Sequence, residues 1–265
     1  MRRSGLFWGI ILLLVGLLLL LNNLGVVSVE LWGAVWAIVL IVVGLGILWS
    51  VVAGPEASEG ETVAIPLGDA ISARLRLEHT VGRLRVDGGA GAGNLLEGTF
   101  GGGVAYRARR KQDELDVEMS PRGLPYMLAP WNWGREGHGW VFGLNREISL
   151  FLALETGASD ARLDLSELRV TDLRLETGAS SVSVTLPAHA GHTRVRIEAG
   201  AASVSLRVPP GVAARVRFKG ALASLDVDRD RFPRTDGVYQ SPDYNAAENS
   251  VDIEVDAGIG SLRVY

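Results

Sequence analysis

Glu155-Thr-Gly-Ala-Ser159 returns letter for letter 21 residues later as Glu176-Thr-Gly-Ala-Ser180, and 22 residues further on as Glu198-Ala-Gly-Ala-Ala202. A near-repeat at this period is the mark of one supersecondary unit copied and stacked, since a unit this short cannot bury its apolar face alone. Around the motif the apolar residues alternate with polar ones: Val182, Val184 and Leu186 against Ser181, Ser183 and Thr185, then Val195 and Ile197 against Arg194 and Arg196. Val204, Leu206 and Val208 repeat the pattern. Period two predicts half-buried strands. The unit therefore reads as strand, Gly-Ala bend, strand, and a break such as Leu186-Pro187 or Val208-Pro209.

Looser copies stand at Leu75 to Val86, Val216 to Val227 and Ile253 to Val264, giving about six rungs. Glycine at each bend (Gly157, Gly178, Gly200, Gly220, Gly258) suits a positive φ, and proline ends a ladder by removing a donor. Glu78, Glu155, Glu176, Glu198 and Glu254 take equivalent places, so stacking predicts a carboxylate column with steps of about 4.8 Å. Arg76, Arg174, Arg196 and Arg217 stand two residues earlier on the same face. The column is thus either a ladder for cations or a basic partner, or one half of a charge-compensated solvent face.

The first 52 residues are of another kind. Gly5 to Leu21 is an apolar run of 17 residues and Leu31 to Val52 one of 22, lengths of about 26 and 33 Å as helices. Asn22-Asn23 supplies a turn between them, and Trp8, Trp32 and Trp49 lie near span ends. A secretory signal is the competing reading of the first run, but it is long, lacks a small-x-small cleavage pattern and meets a second span at once. Two retained spans put both termini on one side, and Arg2 and Arg3 place that side in the cytoplasm. Gly5, Gly9 and Gly16 share one helical face and Gly33, Ala37 and Gly44 another, smooth surfaces for close helix packing. Residues 53–62 read as a linker and 63–265 as the β-repeat domain.

The run from Gly5 to Trp49, with its asparagine turn, Trp32 and Gly-punctuated second span, resembles the LiaI/LiaF-like transmembrane hairpin. The repeats that follow, with paired Leu-Glu-Thr-Gly-Ala-Ser segments, Leu186-Pro187, Val208-Pro209 and the closing Gly260 to Val264, resemble the toastrack domain found behind such hairpins. The expected architecture is a two-helix transmembrane hairpin joined to an all-β, toastrack-like β-solenoid. The resemblance implies a bacterial cell membrane protein acting without catalysis in envelope-stress signalling, with the lipid bilayer and a membrane or signalling protein such as a sensor kinase as partners. Homo-oligomers are compatible with it. LiaF itself is usually drawn with four spans, whereas this chain has two, so its role as a kinase brake does not transfer directly. An outward-facing adhesin or wall-binding module is the alternative.

Chemistry is sparse. The chain has no cysteine, which excludes disulfides and thiolate sites, and a formal charge of −4 offers no basic footprint for nucleic acid. His189 and His192 flank a turn without further metal ligands, and the glycines at Gly88 to Gly93 and Gly101 to Gly103 open no helix that could cradle phosphate. No cofactor is expected. Ser120 to Asn145 reads as an aromatic-rich loop in which Tyr126, Trp131 and Trp133 either contact a partner or cap the stack, while Trp140 and Phe142 begin a strand. Arg234 to Ser250 reads as a polar loop, with Ser241 exposed on it.

Overall fold

The computed structural model describes residues 60–122 and 139–265. The hairpin expected over residues 1–52, with Gly5, Gly9, Gly16, Gly33, Ala37 and Gly44, lies outside the described residues, and so do Tyr126, Trp131 and Trp133. Among the described residues no helix is long and apolar enough to cross a membrane.

The chain there forms strands β1 (Glu61–Pro66), β2 (Ser72–Asp87), β3 (Asn94–Phe100), β4 (Val104–Lys111), β5 (Glu114–Pro121), β6 (Trp140–Leu144) and β7 (Ser149–Asp164). They are followed by β8 (Arg169–Thr177), β9 (Ser181–Thr185), β10 (His192–Arg207), β11 (Ala213–Val227), β12 (Arg234–Thr235), β13 (Val238–Gln240) and β14 (Ser250–Val264). Six parallel rungs stack in the order β2, β7, β8 with β9, β10, β14, β11. The C-terminal β14 is inserted between β10 and β11, so the spatial order departs from the order of the repeats along the chain.

Five of the six rungs are one long strand with a corner in it, and the third is split at its corner into β8 and β9. In β7 the buried residues are Leu150, Leu152 and Leu154 before the corner and Ala161 and Leu163 after it, a change from even to odd. Two consecutive outward residues, Gly157 and Ala158, make the change of phase. Without it a continuous strand would turn the second arm's apolar side chains to water, because alternation has period two. With it both arms face one shared core. The same swap occurs in β10, from Val195 and Ile197 to Val204 and Leu206.

The bends do not use the positive φ expected of their glycines. None of Gly157, Gly178, Gly200, Gly220 and Gly258 has positive φ, and all but Gly178 lie inside unbroken strands. What removes the side chain at four of them is the neighbouring rung. A Cβ on Gly157 would sit 2.4 Å from the Thr80 carbonyl oxygen, on Gly178 2.9 Å from that of Gly157, on Gly200 3.2 Å from that of Gly178, and on Gly258 2.8 Å from that of Gly200. Thr80 occupies the same column on the first rung, where β5 and β6 pair with Ser72–Leu77 and Leu84–Asp87 and neither reaches the corner. Gly220 is not in this column: it stands opposite Ala257, one position early, and its Cβ would meet Phe218.

The two ends of the stack differ. On the first rung β5 and then β4 extend one arm, while β6, β3 and β1 extend the other. Trp140 of β6 is 2% exposed, donates from Nε1 to the Gly101 carbonyl at 3.1 Å, and meets Phe100 and His79 edge-on with ring centroids 5.2 Å apart. On the outer side of the last rung, among the described residues, only β13, with β12 behind it, pairs with β11, and only at Arg215 and Val216. The segment read as a polar loop supplies this cap. Phe232, Tyr239 and Tyr244 are buried in it, and Ser241, 4% exposed, donates its N–H to the Ala214 carbonyl and accepts from Ala214 N–H.

Candidate functional site: the corner of the rungs

The five-letter repeat is a corner written residue by residue. Glutamate points out, threonine in, glycine passes under the next rung, alanine points out again and serine turns in. Inside, Thr156 Oγ1 donates to Thr177 Oγ1 at 3.0 Å, and Ser180 Oγ accepts from Ser159 N–H at 3.2 Å while donating to the Gly157 carbonyl at 3.0 Å. The Ser180 hydroxyl thus satisfies the Ser159 N–H, the threonines pair with each other, and the Gly157 carbonyl also accepts from Ala179 N–H.

Outside, the parallel register aligns two columns along the stack. The first is Glu78, Glu155, Glu176, Glu198 and Asp256, ending in Lys219. Glu254, expected here, belongs instead to the next column, opposite Arg196 and Arg217. Register and not residue type decides this, because the rung of β14 carries acids at both Glu254 and Asp256.

The inner columns neutralise themselves. Glu254 accepts from Arg196 at 2.9 Å and from Arg217 at 3.2 Å, Arg217 also reaches Asp252, and Arg174 lies 3.4 Å from Asp172. The hydrogen bond from Arg196 holds the Glu254 carboxyl below the usual carboxylate range, aided by the charges of Arg196 and Arg217 and opposed by desolvation. In the corner column the situation is reversed. Among the described residues no basic nitrogen comes within 4.0 Å of Glu78, Glu155, Glu176, Glu198 or Asp256.

The second column consists of the outward residues one position past the glycine column: Val81, Ala158, Ala179, Ala201, Ile259 and Leu222. Every one is exposed, Val81 at 52%, Ile259 at 57% and Leu222 at 77%. Six rungs at about 4.8 Å make an apolar ridge about 24 Å long. Beside the carboxylates runs an open groove of about 530 Å³, lined by Gly157, Gly178 and Gly200 together with Glu155, Glu176, Glu198 and Asp256. Sequence reasoning found the acids but missed the ridge, because scattered alanines carry no signal until register lines them up.

Among the described residues no group of three His, Cys, Asp or Glu side chains could hold a metal ion. His192 Nδ1 lies 3.1 Å from Ser250 Oγ, a contact along the ladder.

Comparison with known proteins agrees with this geometry. A candidate cell adhesion protein from Clostridium sporogenes ATCC 15579, known from its crystal structure, superposes with a TM-score of 0.70 at 19% identity, covering 78% of this chain and 98% of its own. At that identity the likeness shows the fold. No curated protein matches the sequence. The profile of the LiaI-LiaF-like transmembrane region matches residues 6–48, and that of the N-terminal domain of toast_rack, DUF2154, matches residues 54–207, more than half of the chain. The bent parallel rungs and the preceding transmembrane region thus have one reading: the chain belongs to the toast_rack family and is a LiaF-like membrane protein.

Proposed function

We propose that this protein is a non-enzymatic, membrane-anchored regulator of bacterial cell-envelope stress signalling, and that a membrane or signalling protein docks along the corner of its rungs. The observation that carries the reading is the apolar ridge beside a column of five carboxylates, none of which has an ion pair within 4.0 Å among the described residues. Like charges about 5 Å apart repel by roughly 1 kcal/mol per pair even at the dielectric of water, so a basic partner relieves a cost that the free domain bears. The ridge adds apolar area for the same partner to bury, at about 25 cal/mol per Å². The LiaI-LiaF-like segment supports membrane anchoring, and both matched families are scaffold-type. Arg2 and Arg3 favour a cytoplasmic β domain, where a sensor kinase would meet it.

The test replaces Glu155, Glu176 and Glu198 together with glutamine, and separately Ala179 with lysine, in the native host carrying a reporter for the cell-wall antibiotic response. Both changes are expected to shift the reporter's antibiotic threshold while leaving the strand signal in circular dichroism intact. A reporter whose threshold in both variants equals that of the parent, or that is unchanged by deleting the protein, removes the basis of the proposal. The structural likeness to a candidate adhesion protein favours a second reading, an outward-facing adhesive module. The side of the membrane on which the β domain lies separates the two.

A further inference from the structure

The edges of this sheet are not protected alike. Edge strand β4 carries Arg107, Arg109, Arg110 and Lys111 within eight residues, and edge strand β1 ends at Pro66 with an irregular register between Ile65 and Pro66. Charges, proline and bulges are the usual devices that stop an edge from pairing with another chain. The second arm of β11, Ala221-Leu-Ala-Ser-Leu-Asp-Val227, has one charge, no proline and a regular register with β14, and neither β12 nor β13 covers it.

The core is open there as well. Leu225 continues the column that holds Val182, Val204 and Leu262, all buried, yet it is only partly buried because no rung among the described residues follows it. Ala223 is in the same position, and Leu222 is 77% exposed. The backbone is poised too. Asp228 N–H donates to the Val264 carbonyl, toward β14, so strand alternation aims the N–H and C=O groups of Ala221, Ala223, Leu225 and Val227 at the open side.

We propose that this arm pairs with the same arm of a second copy, antiparallel across a two-fold axis at Ser224. Only this register engages the whole uncovered segment. Ala223 then exchanges two hydrogen bonds with Leu225 of the second copy, and Ala221 with its Val227. Ser224 faces its own mate in the closely spaced, non-hydrogen-bonded position. Asp226 falls opposite Leu222 instead of another carboxylate, whereas centring the pair on Asp226 would set like charges face to face. Ala223 and Leu225 of each copy close the other's core, and the two stacks become one sheet. The second copy is favoured over a foreign strand because the open arm supplies both complementary halves itself: its own hydrogen-bond phase, its own core residues and a register free of like-charge pairs.

The chain has no cysteine, so Ser224→Cys gives a single thiol at the proposed axis. The full-length variant in native membranes is oxidised with copper phenanthroline and compared with Ser183→Cys, an exposed position in the middle of the stack. Cross-linked dimer is expected from Ser224→Cys at least tenfold above Ser183→Cys. Adding Ala223→Pro should abolish it. The N–H removed there has no partner among the described residues of one copy, so the melting temperature of the detergent-solubilised monomer should stay within a few degrees. Leu225→Arg serves as a second disruption should the proline perturb the fold. Equal cross-linking at both cysteines, a dimer that survives both disruptions, or stronger cross-linking from Leu222→Cys than from Ser224→Cys would each overturn the proposal.

Discussion

Substituting alanine along the glycine column should produce a graded loss of stability set by distance alone. The absent Cβ atoms lie 2.4 Å (Gly157), 2.8 Å (Gly258), 2.9 Å (Gly178) and 3.2 Å (Gly200) from a carbonyl oxygen of the neighbouring rung. That oxygen belongs to backbone fixed in the ladder, so relief requires the rungs to separate, and overpacking of this kind costs typically about 1–3 kcal/mol. Gly157→Ala should reach the top of that range, about 3 kcal/mol. At Gly200 the overlap is small, and lowering the entropy of the unfolded chain returns about 0.4–1 kcal/mol, so Gly200→Ala should lie between neutral and about 1 kcal/mol. For a domain of this size each kcal/mol moves the melting temperature by about 2–4 °C, which places Gly157→Ala about 6–12 °C below the parent. The assay is thermal and urea unfolding of the detergent-solubilised protein, followed by the far-ultraviolet strand signal. Gly191, with a φ of 72° and nothing within 4 Å of its Cβ position, is the control for a purely conformational cost. If the four column variants lose the same amount as Gly191→Ala, or if Gly200→Ala is the worst, the close-approach account is wrong.

Three further outcomes follow from the same geometry. Trp140→Ala removes the largest buried side chain of the first-rung cap and its hydrogen bond to Gly101, and should cost about 3–5 kcal/mol by equilibrium urea unfolding; a loss below about 1 kcal/mol would mean that the cap does not hold that end. Because the folded-state pKa of Glu254 is depressed, its contribution is present above the ordinary carboxylate pKa of about 4.3 and disappears as pH falls through the lower folded value. Glu254→Gln should therefore melt below the parent at neutral pH and converge with it in acid, and a pH-independent gap between the two melting curves would refute the assignment. For topology, Ala246→Cys offers an exposed thiol where Ser241 is buried, and a membrane-impermeant thiol reagent should leave it unlabelled in intact cells; labelling would favour the adhesive reading over the signalling one.

Much of this architecture is legible because a repeat states its own rule several times. The alternation in Val182 to Leu186 and Val195 to Ile197 fixes strands and faces, and the spacing of the Glu-Thr-Gly-Ala-Ser motifs fixes one rung per 21 or 22 residues. Six rungs were countable, and the carboxylate column was legible in four of its five members. The misreadings share one cause. Local sequence does not report which strand lies beside which, or in what register. Glu254 and Asp256 both suit an outward site, and only pairing with β10 shows that Asp256 joins the column. Gly220 looks like another corner glycine, but it falls opposite Ala257, one position before the glycine column.

The sequence by itself determined the rung, the number of its copies and the apolar character of residues 5–21 and 31–52, because alternation and hydropathy are properties of single segments. Tertiary structure alone decided that β14 slots between β10 and β11, that the corner glycines answer to a neighbouring carbonyl and not to their own φ, and that alanines from separate repeats join Val81, Ile259 and Leu222 in one ridge. These are relations between segments distant in the chain. Their physical origin is the parallel ladder, which sets residues dozens of positions apart about 4.8 Å from one another and, among the described residues, leaves one side of the second arm of its last rung unpaired.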